Sequence, residues 1–526
     1  MNRSICRALF VATVCSGILF FAASRHAILA DTDDQSQQWL IAGHDLNNSR
    51  SQSAEKKIGI ENVSQLAPQW TFTTSSDVSA TPTVDGDNVY FPDWAGNLYA
   101  VNRKTGIMRW SHQISEYDAH QNALSRTSPA IHGDLLIFGD ILSSTVPHEG
   151  ADIIAVSRTN GELRWITKVD NHPAAVITGS PVIAGDIVYV GVSSSEEGLA
   201  TNPDYPCCSF RGSIVALDVN SGRILWKRYT VPDNLGAADQ YSGNAVWQPP
   251  AIDLTRGLLF IGTGNNYDVP AAVRDCVNQN PSQSSGCFAA DDYFDSALAL
   301  DLTTGQIKWS QRLRGFDIWT VACIRNTNPV ACPVPSSPDY DLSGSGPNLF
   351  PNLVGFGQKS GMYWALNPDT GAIVWSSVVG PGATLGGIEW GTATDGTRIY
   401  VAITNSANKS YPLINGQTIT WGAWSALDVS TGKILWQTAD PDHSLAMGAV
   451  STANGVVYAP SISGKVHALN AATGDILFSF QTGGSVIDGP SISNGTVFWG
   501  SGYRRTTGGI GNNKVFAFSL NGKSSD

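Results

Sequence analysis

Eight cysteines set the first chemical question in this chain of 526 residues. Cys6 and Cys15 sit in an apolar N-terminal stretch; the other six are Cys207, Cys208, Cys276, Cys287, Cys323 and Cys332. No pair of C-x2-C elements with matching downstream ligands occurs, which argues against zinc. No CxxCH occurs either, so the sequence offers no attachment site for a covalent haem. In an oxidising compartment an even set reads as disulfides. Cys276–Cys287 would close "CVNQNPSQSSGC" and Cys323–Cys332 would close "CIRNTNPVAC", polar loops unable to order themselves by burial. That pairing leaves Cys207 with Cys208, although neighbouring Cα atoms stand only about 3.8 Å apart, below the usual disulfide window of about 4.4–6.8 Å.

Further chemistry-bearing residues stand in irregular segments. Glu196 lies in "VGVSSSEEG", Asn265 in "GTGN" and Asp317 in "RGFDIW". Carboxylates and amides supply the oxygen ligands that a hard cation such as Ca²⁺ takes. Trp247 in "AVWQPPAID" offers a flat aromatic face, while Arg126 in "LSRTSP" and Lys359 in "GQKSGM" offer positive charge. Thr178, Ser193, Ser194 and Ser195 add hydroxyls. Singly, each residue has a plainer reading as turn, solvated surface or core packing.

The element that must position them is a repeat. "GNLYAVNRKTGIMRW", "ADIIAVSRTNGELRW", "GSIVALDVNSGRILW", "DSALALDLTTGQIKW", "GMYWALNPDTGAIVW", "GAWSALDVSTGKILW" and "GKVHALNAATGDILF" end at Trp110, Trp165, Trp226, Trp309, Trp375, Trp436 and Phe478. Alternation through "xxALD" predicts a strand, "xTG" a turn in which Gly takes positive φ, and the final run a return strand. The Asp would cap the turn. Spacings of 42 to 83 residues between copies are blade-sized, and repeats of this kind predict a β-propeller. Trp70 lacks a preceding turn, and the C-terminal "NKVFAFSLNGK" lacks its Trp. The two halves complement each other. The expected fold is therefore all-β: one eight-bladed propeller from about residue 35 to 526, its last blade closed by both chain ends.

With its intervening segments, the repeat resembles the pyrroloquinoline quinone (PQQ) alcohol dehydrogenases, most of all their polyvinyl alcohol dehydrogenase branch. The resemblance covers nearly the whole chain beyond the leader. It implies Glu196, Asn265 and Asp317 as ligands of Ca²⁺, with Asp317 also the catalytic base that takes the substrate hydroxyl proton. Trp247 would be the floor beneath the quinone. Thr178, Ser193, Ser194, Ser195, Arg126 and Lys359 would bind its carboxylates and oxygens. Glu389 in "GGIEWG" stands where relatives often carry Asn, beside Trp390, and the pair would border the cofactor. Ser79 replaces a cofactor-binding glutamate of methanol-type enzymes. Trp319 stands where lanthanide-dependent relatives carry an extra Asp, which favours calcium. The adjacent-cysteine pair of methanol-type enzymes precedes the arginine segment, whereas here it follows Glu196. Two readings of the Cys207–Cys208 ring stay open: a cover over one quinone face, or a clip at the mouth of the funnel.

Composition bounds the partners. A formal net charge of −12 argues against nucleic acid. Arg3 and Arg7 precede the apolar run 8–23, and Ala30 offers a small residue before an acidic start. This reads as a signal peptide over 1–30, with export to the periplasm or medium and no stable membrane span after cleavage. An uncleaved anchor is the alternative. The expected partners are an alcohol, small or polymeric, and a separate electron acceptor such as a cytochrome c. The competing functional class is a non-catalytic propeller that serves as an assembly scaffold.

Overall fold

Each copy of the repeat forms the two outer strands of a four-stranded antiparallel sheet. Ser213–Asp218 and Ile224–Tyr229 show how. Asp218 Oδ1 accepts the Ser221 N–H at 2.9 Å, and Gly222 takes a φ of 69°. Register then slips by one residue between Ala216 and Leu217. The same slip recurs in all seven copies. A glycine in the left-handed region at such a bulge closes a short hairpin without splaying its strands.

The structure, a computed structural model, describes residues 37–118, 122–141, 150–325, 328–332, 339–506 and 508–523. The expected leader lies outside them. Eight sheets form the blades of a propeller. In chain order they span 83–113, 130–170, 175–229, 251–312, 347–378, 393–439 and 451–481, and the eighth joins 491–520 to Leu66–Thr73. The eighth is closed as expected: Trp70 lies opposite Ala517. Closure completes the eighth sheet, and the ring is left with only the short edge strands of its separate blades.

The terminal Trp of each copy docks on the next blade. Its indole N–H donates to a turn carbonyl: Trp70 to Arg103, Trp110 to Arg158, Trp165 to Val219, Trp226 to Leu302, Trp309 to Pro368, Trp375 to Val429 and Trp436 to Ala471, all at 2.9–3.0 Å. The turn glycine also makes room for the ring: a Cβ on Gly106 would lie 2.8 Å from Trp70. Phe478 has no N–H to donate and instead packs on Phe518 with centroids 6.2 Å apart.

One feature had no counterpart in the repeat. The segment 39–52 runs across the innermost strands. Trp39 pairs with Val84, Leu40 with Ile131, Leu46 with Ile252, Asn47 with Leu349, Ser49 with Thr394 and Gln52 with Thr452, all through main-chain hydrogen bonds. Arg50, buried, donates to the carbonyls of Ala42 and Val450 and to the Thr81 hydroxyl. These partners lie within or at the far ends of the first strands, so the segment crosses the channel at the end away from the loops that enter those strands.

Disulfides pair Cys207–Cys208, Cys276–Cys287 and Cys323–Cys332. Cys276 lies on the helix Ala271–Gln279 and Cys287 at the end of the turn Pro281–Cys287, both inside an insertion of the fourth blade. Among the described residues, no helix is long and apolar enough to cross a membrane.

Candidate active site

Two kinds of connection emerge at one end of the ring: those from second to third strand, and those leading into the next first strand. Glu196, Glu197, Asn265 and Lys359 come from the first kind. Arg126, Thr178, Trp247, Asp341, Glu389 and Trp390 come from the second. Residues scattered over the sequence thus converge because every blade presents the same two loops at the same end.

Lys359 is the centre of the convergence. Its Nζ lies 3.0 Å from both Asp339 carboxylate oxygens, 2.8 Å from Asp341 Oδ2 and 3.9 Å from Glu389 Oε1. It also stands 5.5 Å from the centre of the Trp247 ring. Burial alone would lower the ammonium pKa; Asp339, Asp341 and Glu389 outweigh it and raise the value well above normal. Asp341 Oδ1 accepts the Asn265 N–H at 2.7 Å. The bare Gly264 permits this approach, since a Cβ there would meet Asp341 Oδ1 at 2.6 Å. Asn265 Nδ2 donates to the carbonyls of Asn266 (2.9 Å) and Trp319 (2.8 Å), which fixes the amide plane and turns Oδ1 away from them.

The expected carboxylates stand in different surroundings. Asp317 is enclosed: Oδ2 accepts the Tyr340 N–H at 2.6 Å, and buried Asp295 lies near enough for the two carboxyls to raise each other's electrostatic cost. Burial pushes its pKa up to about 6. Glu196 is fully buried and its carboxylate is spoken for. It accepts the N–H groups of Ser209 (2.9 Å) and Phe210 (2.8 Å) and the Tyr205 hydroxyl (3.1 Å), with His172 Nε2 at 3.7 Å. Those donors flank Cys207 and Cys208, so Glu196 anchors the disulfide loop. Its neighbour Glu197 looks the other way. Burial pushes its pKa up to about 8, Lys359 opposes that rise, and Asp341, Asp317 and Glu389 add to it. Glu197 Oε1 is buried without a hydrogen-bond partner.

The aromatic wall follows. Trp247 meets Trp390 edge to face at 5.8 Å. Trp390 is held at a φ of 65°, with its N–H on the Gly344 carbonyl at 2.8 Å. A bulky residue in the left-handed region is uncommon and concentrates at functional sites. Its indole N–H is buried without a partner. The Arg126 guanidinium covers the Trp390 ring at 4.4 Å. A Cβ on Gly344 would lie 3.2 Å from Trp247 and 3.3 Å from Glu389, which places those two side by side. Burial pushes Glu389 up to about 7, against the pull of Lys359.

Arg126, Thr178, Ser194 and Ser195 line a cavity of about 280 Å³ together with Trp94 and Arg505. Thr178 Oγ1 reaches the Trp247 carbonyl at 3.5 Å. Ser194 Oγ accepts the Glu196 N–H at 2.8 Å, Ser195 Oγ donates to the Ala174 carbonyl at 3.3 Å, and Ser193 is buried in the strand before them. Cys208 is buried in a cluster against which Cys207 and Trp247 both pack. Ser79 is engaged by the Trp94 indole N–H at 2.8 Å.

Sequence reasoning missed Glu197, Asp339, Asp341, Trp94 and Arg505. "DYD" at 339–341 was a visible acidic pair. Nothing in its spacing tied it to Lys359, because the contact depends on where two different loops of one blade meet.

Solved structures share this ring. The quinohaemoprotein alcohol dehydrogenase of Comamonas testosteroni superposes with a TM-score of 0.69 over 95% of this chain and 83% of that one, at 18% identity. The fold is thus that of a quinoprotein dehydrogenase propeller. A repeat-family model described as outer membrane protein assembly factor BamB matches residues 64–228 and 422–523. It skips 229–421, the stretch that carries Trp247, Asn265, Asp341, Lys359 and Glu389. Polyvinylalcohol dehydrogenases of Sphingopyxis sp. (strain 113P3) and of a Pseudomonas sp. are 31% and 30% identical, each over 92% of this chain and 77% of the relative. The chain belongs to the polyvinyl alcohol dehydrogenase family of PQQ-dependent alcohol dehydrogenases, a group of oxidoreductases.

Proposed function

We propose that this protein oxidises secondary or polyhydroxylated alcohols to carbonyl compounds, using PQQ and Ca²⁺ held in the funnel at the loop end of the ring. The observation that carries the reading is the convergence of Asn265, Asp341, Lys359 and Glu197 beside the Trp247 face. Buried carboxylates outnumber the single ammonium among them, and excess buried negative charge calls for a cation. The donor set is all oxygen, as Ca²⁺ prefers. Glu197, Asn265 and Asp341 would hold the ion. Asp317 stands behind them as a structural carboxyl, and Glu196 as the anchor of the disulfide loop.

The cofactor fits the other half of the site. Trp247 supplies a flat face, and the Cys207–Cys208 ring is its candidate counterpart. Arg126, Thr178, Ser194, Ser195 and Arg505 supply the positive charge and hydroxyls that a tricarboxylate needs. The unpartnered Trp390 N–H supplies a donor for one of its oxygens. When bound, the quinone is the hydride acceptor and the cation a Lewis acid beside it.

This chain's own residues then manage the proton. Asp341 accepts the hydroxyl proton of the alcohol as the carbinol hydrogen leaves. The Lys359 ammonium and the Asn265 N–H each hold one Asp341 oxygen, which orients the carboxylate. Glu389, next to Trp247, borders the substrate side. Electrons leave to a separate acceptor. The segment 1–30 would direct export and be removed from the mature protein, in keeping with three disulfides. The direct test adds PQQ and Ca²⁺ to the apo-protein and follows dye reduction with primary, secondary and polymeric alcohols. Turnover with secondary or polymeric alcohols is expected; no turnover with any alcohol would overturn the proposal.

A further inference from the structure

A second lined space lies outside the funnel. The segment 404–422 of the sixth blade joins Arg398–Ile403 to Ala423–Asp428, whereas the seventh blade makes the same connection with 461–464 alone. The longer one folds into a ribbon, Tyr411–Pro412 against Thr418–Ile419. Leu413 and Ile419 are buried beneath it. The ribbon walls a groove of about 670 Å³ along the outer strand Ile434–Ala439, opposite the Thr473–Asp475 turn of the seventh blade. Ligand sites commonly fall between about 300 and 1,000 Å³.

The lining mixes two chemistries. Trp421 and His443 stack at 3.9 Å with their planes 23° apart. Ile414 is 54% exposed and Leu435 40%. Asn415, Gln417 and Asp475, all exposed, add amide and carboxylate groups. The Trp421 indole N–H is buried and has no partner. Groove formation between blades is not enough to explain this. The cleft beside Trp110, between the first two blades, is smaller at about 460 Å³, and Arg158 reaches across it to Asp85 at 2.9 Å.

We propose that this groove binds a polyhydroxylated chain, holding the part of a polymeric substrate that lies outside the catalytic cavity. The idea rests on the alcohol-oxidising reading above. The proposed catalytic side chains converge on one point, with Lys359 beside the Trp247 face and 2.8 Å from Asp341, so one carbinol reacts at a time and the rest of a polymer lies elsewhere on the protein. The ribbon connection 404–422 and the loop carrying His443 both belong to the end of the ring where the funnel opens. A chain that alternates apolar CH2 edges with hydroxyls matches the lining. Its carbon edge would lie on the Trp421–His443 stack, Ile414 and Leu435. Its hydroxyls would reach Asn415, Gln417 and Asp475. Both a 1,3-diol polymer and a polysaccharide present this chemistry.

The test titrates apo-protein calorimetrically with short poly(vinyl alcohol) chains and, separately, with cello-oligosaccharides. His443→Ala and Ile414→Ser change exposed side chains and leave the ribbon core intact; Trp421→Ala removes the platform. Each of the three is expected to weaken chain binding about tenfold, the loss of about 1.4 kcal/mol. In the loaded enzyme, KM for the polymer rises by the same factor, while kcat/KM for 2-propanol stays unchanged. Preference between the two chains assigns the source. Unchanged chain binding in His443→Ala and Ile414→Ser would overturn the groove even if the enzyme oxidises alcohols. Groove-dependent binding without any alcohol oxidation would overturn the catalytic reading and leave the groove standing.

Discussion

Replacing Glu196 or Glu197 by Gln separates two adjacent carboxylates that the structure points in opposite directions. Glu196 receives two main-chain N–H groups and one hydroxyl at 2.8–3.1 Å. Hydrogen bonds to a charged group contribute roughly 1.5–3 kcal/mol each. Gln retains one acceptor oxygen but turns an NH2 toward a remaining donor, so Glu196→Gln should loosen the loop 205–210 by about 2–4 kcal/mol. Hydrogen exchange reads this directly. The amides of Ser209 and Phe210 are the donors, and their exchange should quicken about 30- to 1,000-fold. Ca²⁺ affinity, measured calorimetrically on the PQQ-loaded protein, should change by less than about threefold. Glu197→Gln should do the reverse: exchange at Ser209 and Phe210 unchanged, Ca²⁺ affinity down about 100-fold or more, since even partners behind the ligands are worth about 10- to 100-fold. Loss of Ca²⁺ binding in Glu196→Gln with unchanged exchange would refute the division of roles and restore Glu196 as the ligand.

Two further outcomes follow from the scaffold. Trp165→Phe removes an indole N–H and leaves the buried Val219 carbonyl without its donor, so the chemical-denaturation midpoint should fall by the equivalent of about 2–4 kcal/mol, against less than about 1 for Phe478→Leu, which loses no hydrogen bond; equal losses would remove the N–H from the argument. His467 is buried, with Nδ1 on Ser479 Oγ at 2.7 Å, and burial holds its pKa down at about 4 against 6.5 when unfolded. The unfolded chain therefore binds the extra proton first as pH falls. The stability gap between the parent and His467→Asn should narrow by about 3 kcal/mol in total from pH 6.5 to pH 4, whereas a gap that is flat with pH would show that His467 titrates normally in the fold.

The architecture was legible because it is periodic. The turn glycine, the capping Asp and the terminal Trp each occupy a fixed place in the copy, and each does one local job that repeats from blade to blade. The closing blade was legible for the same reason, as two half-copies. The segment 39–52 was not, because it has no pattern of its own and takes its shape from the strand ends it crosses. Within the site, Lys359 stands beside the Trp247 face, and Asp341 bridges Lys359 to Asn265. Glu196 and Glu197 are alike in composition and neighbourhood; only the short turn Glu196–Leu199 decides which carboxylate faces the funnel and which faces the cysteine loop. Asp317 and Asp341 differ in the same way. Both are buried, but one is sealed against Asp295 and Tyr340, and the other stands between Asn265 and Lys359. Distinguishing them needs contacts across loops more than seventy residues apart in sequence, such as Asn265 with Asp341.

Anaerobic mixing of the PQQ- and Ca²⁺-loaded protein with excess 2-propanol, followed by the quinone absorbance in a single turnover, tests the central claim most directly. Asp341→Asn, measured at saturating PQQ and Ca²⁺ because it also alters a proposed Ca²⁺ ligand, should slow reduction by about 10²- to 10⁴-fold, the usual worth of a positioned general base. Asp317→Asn should keep the reduction rate within about tenfold of the parent. Parent-like reduction in Asp341→Asn, with the large loss in Asp317→Asn instead, would contradict the account.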